Sequence, residues 1–159
     1  MKINKLELLK SIAIPLLVGI LASVLTGGGM ETFQSLNKPA LSPPGWIFPI
    51  VWTILYVLMG IAFYLIMQSG KDDEDVNRAA FLYGAQLIVN FFWPIIFFGL
   101  EWYGIAFLWL VLLWILILLT IIQFNKISKT ASYLMIPYLI WVTFAGYLNL
   151  AIWLLNFHF

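Results

Sequence analysis

The chain has 159 residues, of which 64% are hydrophobic and 9% charged, with a net charge of +1. A water-soluble domain carries about 25% charged residues, so this chain cannot cover a water-facing surface and reads as an all-α integral membrane protein. The near-neutral charge gives no reason to expect a nucleic-acid partner, and the lack of cysteine removes disulfides, thiolate nucleophiles and cysteine-type zinc sites.

Crossing the hydrocarbon takes about 20 mostly apolar residues. Five segments are long enough: 6–25, 46–67, 79–100, 104–124 and 131–155. Their apolar runs are continuous rather than alternating, which selects a helical bundle over a closed barrel. The first segment follows the basic start MKINKLELLK and also resembles a signal peptide. However, Gly27 to Gly29 make a poor cleavage site, and the run is long enough to span, so a helix is expected. The connector to the second span, NKPALSPPGWIFPIVW (Asn37–Trp52), is rich in proline and tryptophan. Proline pre-sets the backbone, so ordering this segment costs little entropy. Pro44 and its neighbours form a stiff loop, and Trp46 and Phe48 are expected to dip into the mouth of the bundle. Pro49 then fits the first turn of the second helix. Trp52 falls one turn on, on the face of Tyr56. The acidic run Asp72 to Asp75 reads as a solvated loop. Pro15, Pro94 and Pro137 lie inside spans, where each removes a helix hydrogen bond and is expected to kink the helix.

Every Lys and Arg except Lys38 falls in the N-terminus, the second connection or the fourth, which share one side in a chain of five spans. The positive-inside rule therefore places the N-terminus in the cytoplasm and the C-terminus outside, in what is expected to be a bacterial cell membrane.

No Asp, Glu, Lys, Arg or His lies in the middle of a span, which argues against ion-coupled transport. The spans instead carry amides and aromatics at helical spacing. Gln86, Asn90 and Trp93 share one arc of the third span, and Trp141, Ala145 and Asn149 one arc of the fifth. Trp52, Tyr56 and Met59 or Gly60 align in the second. Amides avoid lipid, so Gln86, Asn90 and Asn149 should point into the bundle and draw Trp52, Trp93 and Trp141 with them. One reading makes the amides glue between helices. The other makes a cavity walled by indoles, a phenol and an amide, suited to a flat, apolar, conjugated ligand. Ala80 with Gly84, and Gly19 with Ser23, form small-xxx-small pairs that could bring helices or copies of the chain together.

Three stretches, KPALSPPGWIFPIVWTILY, QLIVNFFWPIIFFG and PYLIWVTFAGYLNLAIWLLN, resemble the signatures of the TspO/MBR family, in the family's order and in the matching spans. That family comprises tryptophan-rich sensory proteins and the translocator protein, or peripheral-type benzodiazepine receptor. The resemblance covers about Phe33 to Asn156. It implies a five-helix bundle, often a homodimer, with the first connection folded over the pocket as a lid. It further implies binding of protoporphyrin IX and related tetrapyrroles, and of sterol-like, isoquinoline carboxamide or benzodiazepine ligands. Some bacterial members are described as promoting light-dependent porphyrin breakdown. Carried over by position, Trp52 and Trp141 are the pocket tryptophans, Asn90 and Trp93 the third-span motif, Ala145 the small residue at the ligand, followed by Asn149. Pro43, Pro44 and Trp46 match the lid. The chain departs from the pattern at Phe33 and Gln34, where many members have Trp-Tyr. It also departs at Leu150 and Leu154, where the animal sterol motif has Tyr and Arg.

The resemblance thus implies a metal-free porphyrin stacked on Trp52 and Trp141, with Asn90 at a polar edge and no required cofactor or metal. Met59 and Tyr56 are the internal groups that could ligate a haem iron. Under light, Trp52 and Trp141 would be the reactive groups. A sensor or binding protein without turnover ranks second, and a porphyrin or lipid transporter third.

Overall fold

Asn4 opens the first helix, its side-chain carbonyl accepting from the Glu7 N–H at 3.3 Å. The apolar run behind it carries the helix α1 from Lys5 to Leu25. In the computed structural model, which describes residues 2–27 and 29–156, a short helix α2 (Met30–Ser35) follows. The long helices α3 (Ile47–Met67), α4 (Asp73–Pro94), α5 (Tyr103–Asn125) and α6 (Lys129–Asn156) complete the chain. Among the described residues five helices are long and apolar enough to cross a membrane, in the places the sequence predicts. The protein is a multi-pass integral membrane protein. The single histidine, His158, lies outside the described residues.

The acidic run departs from expectation. Asp72 is the N-cap of α4, accepting from the Glu74 N–H, and Asp73, Glu74 and Asp75 form the first helical turn. Carboxylates at a helix N-terminus offset the positive end of its dipole, so the run stays solvated while being helical. Pro94 also does more than kink its helix. Lacking an N–H, it cannot continue the ladder, and the chain widens into a π turn at Ile95–Gly99, closed by the Leu100 N–H donating to Ile95 O at 2.9 Å.

Around the bundle the order is α1, α3, α6, α5, α4, with α4 returning to α1 over a shorter contact. Glycine sets the α1–α3 distance. A Cβ on Gly60 would fall 2.7 Å from Ser11 O and 2.8 Å from Ile12 N, so the two backbones touch there. Gly19 receives the ring of Tyr56, which gives this small residue a role within the chain. Gly84 faces open space on α4. Two apolar cores result. The larger joins α3, α4, α5 and α6 through residues such as Met59, Leu113, Ile117 and Met135. The smaller, built on Phe33, Phe97, Tyr103, Ala106 and Ile152, closes the end of the bundle nearest the first connection.

Candidate ligand pocket

Between the two cores lies a cavity of about 300 Å³. Its walls come from α1, α3, α4 with the π turn, and α6, with Phe33 of α2 at one end. Trp52, Tyr56, Asn90, Trp93, Trp141, Ala145, Asn149 and Phe48 all line it. Two residues expected in the lid do not. Trp46 is 67% exposed, and Pro44 is exposed and also absent from the lining. Trp46 precedes the first turn of α3, and the helix turns Phe48 inward, which leaves Trp46 on the outside. Such an outer tryptophan suits the membrane interface.

The polar side of the cavity is one connected chain. The Tyr56 hydroxyl donates to Asn90 Oδ1 at 3.1 Å, and the Asn90 amide donates to the Tyr138 hydroxyl at 2.6 Å. The Tyr138 hydroxyl then donates to Gln86 Oε1 at 2.7 Å. Gln86 is fully buried and outside the lining, as is Met59, whose sulfur lies 4.0 Å from the Gln86 amide. Gln86 is therefore glue between α4 and α6. Met59 is out of reach of a bound ring, whereas Tyr56 lines the cavity. Asn149 serves both roles. It faces the cavity while accepting from Trp93 Nε1 at 3.0 Å and donating to the Tyr103 carbonyl at 2.8 Å. Trp93 is held in the wall by that bond.

The aromatic walls are ordered by ring contacts. Trp52 lies against Tyr56, with centroids 5.6 Å apart, and presents its edge to Tyr138 at 6.2 Å. Phe33 meets Phe48 edge-on at 5.1 Å, and Phe48 meets Trp141 at 5.8 Å. Trp141 Nε1 is buried without a hydrogen-bond partner. A buried donor left unpaired costs about 1–3 kcal/mol.

The first connection is tied down where it leaves α2. The Asn156 side chain accepts from the Asn37 N–H at 3.2 Å and donates to the Asn37 carbonyl at 3.0 Å. Lys38 Nζ donates to the carbonyls of Phe33 and Gln34, at 3.1 and 3.2 Å, and sits 5.0 Å above the Phe33 ring. The lone cation of this side thus caps the C-terminal end of α2.

Sequence reasoning did not name Tyr138, Phe97, Phe98 or the α1 residues Leu16 and Ile20, and it gave Gly19 only as a small residue that could bring helices together. Tyr138 lies one turn before Trp141 on the same arc and was legible in principle. The two phenylalanines reach the cavity only because of the π turn after Pro94. The α1 residues carry no polar or aromatic signal.

A model of the TspO/MBR family matches residues 11–154 of the chain. The chain belongs to the TspO/MBR family. It is 41% identical to the tryptophan-rich protein TspO of Chlorobaculum tepidum, over 95% of this chain and 96% of that one. It is 39% identical to the tryptophan-rich protein TspO of Archaeoglobus fulgidus, over 96% and 99%. The translocator protein of Bos taurus is 36% identical over 88% of this chain and 84% of its own. This TspO/MBR chain therefore spans nearly the whole length of those two microbial relatives, and its pocket residues all lie within the family match.

Proposed function

We propose that this TspO/MBR protein is a membrane receptor or sensor that binds flat, conjugated, largely apolar ligands, with a metal-free porphyrin such as protoporphyrin IX as the leading candidate. The observation that carries the reading is the cavity itself. Indole, phenol and phenyl rings wall it, with Asn90 and Asn149 among its few polar residues. Flat rings stack on such walls, and a few convergent donors fix their orientation. The names sensory protein and translocator protein among the relatives agree with a receptor role.

At about 300 Å³ the enclosed space is smaller than a whole tetrapyrrole. A porphyrin would fit with one edge against Trp52, Trp141 and Asn90 and the rest projecting from the open side. A smaller ring system, of isoquinoline carboxamide or sterol-like kind, would fit more completely. That size match favours pure binding as the second reading, with porphyrin or lipid transport third.

Under light, a porphyrin held on these walls could take an electron from the indole of Trp52 or Trp141, or could be attacked in place by dioxygen. In that chemistry Trp52 and Trp141 are the reactive groups, and Tyr138 and Tyr56 set the position of Trp52. We also propose a bacterial-type cell membrane, a cytoplasmic N-terminus and a homodimer. Titration of the purified protein with protoporphyrin, in the dark and then illuminated, tests the central claim. Saturable quenching of tryptophan fluorescence is expected in the dark. Loss of the porphyrin absorption is expected in light, and slower loss with Trp52→Phe plus Trp141→Phe. Equal loss in parent and double variant would leave binding without chemistry.

A further inference from the structure

We infer that ligands enter and leave this pocket sideways, from the outer half of the bilayer, through a gap between α1 and α3 rather than past the first connection. The inference rests on the binding reading above for its ligand, but on the geometry of the bundle for its route.

Four residues face the cavity and the outside of the bundle at once. Ile20 is 58% exposed, and Ser23, Pro49 and Thr53 are exposed, yet all line the cavity. A side chain can do both only at an opening. The helix register places these residues together. α1 and α3 run antiparallel, touching through backbone at Gly60 with Ser11 and Ile12, and through the Tyr56 ring at Gly19. Continuing outward in the same register, Ser23 comes opposite Thr53. At that level both Ser23 and Thr53 are exposed and both line the cavity. With a rise of about 1.5 Å per residue, Thr53 lies about 9 Å inside the start of α3, at hydrocarbon depth rather than in water.

The rim suits an apolar traveller. The Thr53 hydroxyl is returned to Pro49 O at 2.7 Å, and the Thr26 hydroxyl to Ala22 O at 3.0 Å, so neither leaves a free donor on the rim. α1 buries the smallest share of its length of the five spans, which makes it the wall most able to give way.

The water-facing end is closed by contrast. Phe33 is 5% exposed and packs on Phe48, which packs on Trp141. Behind these rings the connection is fixed to α6 by the two Asn156 hydrogen bonds and to α2 by Lys38. On this geometry the first connection is a fixed wall of the pocket and the α1–α3 gap is its door.

The chain has no cysteine, so a single cysteine can report access. Ala145→Cys places a thiol on the cavity wall, in protein reconstituted into phosphatidylcholine vesicles. N-(1-pyrenyl)maleimide dissolved in the bilayer is expected to label it faster than a charged, water-soluble maleimide. Adding Thr53→Trp, which fills the gap, should slow the pyrene reagent by about tenfold, as gated access slows association. Ser23→Trp fills the same gap from the opposite rim and serves if the first variant does not fold. Equal labelling with and without either tryptophan would overturn the route, as would faster labelling by the charged reagent. Labelling by the lateral route in a protein that shows no porphyrin quenching would sink the functional reading alone.

Discussion

Asn90 shows how one side chain can organise a membrane pocket. Its amide accepts from Tyr56 and donates to Tyr138, so two rings from different helices are fixed by a single residue. In hydrocarbon, the alternative to such bonds is an unsatisfied polar group, though measured interhelical bonds are worth only about 1–2 kcal/mol at most. Tyr138→Phe strips Asn90 of an acceptor and Gln86 of a donor while keeping the ring against Trp52. It should lower stability by about 1–2 kcal/mol, read as a drop in melting temperature in detergent. The same variant should alter the fluorescence of Trp52, whose ring it touches. Asn90 was legible because amides avoid lipid and its spacing to Trp93 defined a face. Tyr138 was legible only through its place one turn before Trp141, because a tyrosine is equally at home in a core and at an interface.

Among the helices, glycine separates contact from empty space. Gly60 is pressed on the backbone of α1, and Gly84 meets nothing. Gly60→Ala must push α1 and α3 apart, since the atoms it meets are backbone and cannot rotate away. The expected cost is about 1–3 kcal/mol, the usual penalty for overpacking. Gly84→Ala should be neutral or stabilising by up to about 1 kcal/mol, because alanine favours the helix. Opposite shifts of melting temperature would verify the pair, and equal shifts would show that α1 does not sit where described. The spans themselves were legible to within a few residues from apolar length alone. The start of α4 was not, because a capped acidic turn and a solvated acidic loop have the same composition. Nor was the π turn after Pro94, since proline announces a break without saying how the chain repairs it.

For the whole molecule, the first connection and the ring of spans act together. Deleting Ala40 to Pro44 would pull Phe33 and Phe48 from their places over Trp141 without cutting any span. Porphyrin affinity should fall about tenfold as preorganisation is lost, with the melting temperature nearly unchanged. An unchanged affinity would reduce the segment to a plain connector. Reporter fusions should find the N-terminus inside and the C-terminus outside if the proposed orientation, read from the distribution of Lys and Arg, holds.

Sequence by itself determined that this chain lives in a membrane, how many times it crosses, and which arcs of α3, α4 and α6 turn inward. Length, hydropathy and the aversion of amides to lipid are local properties, and each can be read from a single helix. The tertiary structure decided the rest. The order of helices around the ring, the exposure of Trp46, the orphaned N–H of Trp141 and the gap between α1 and α3 depend on which helix meets which. α1 contributes a largely apolar wall with no aromatic residue in it, because what it supplies is position. A cavity is a relation between surfaces, and no one surface encodes it.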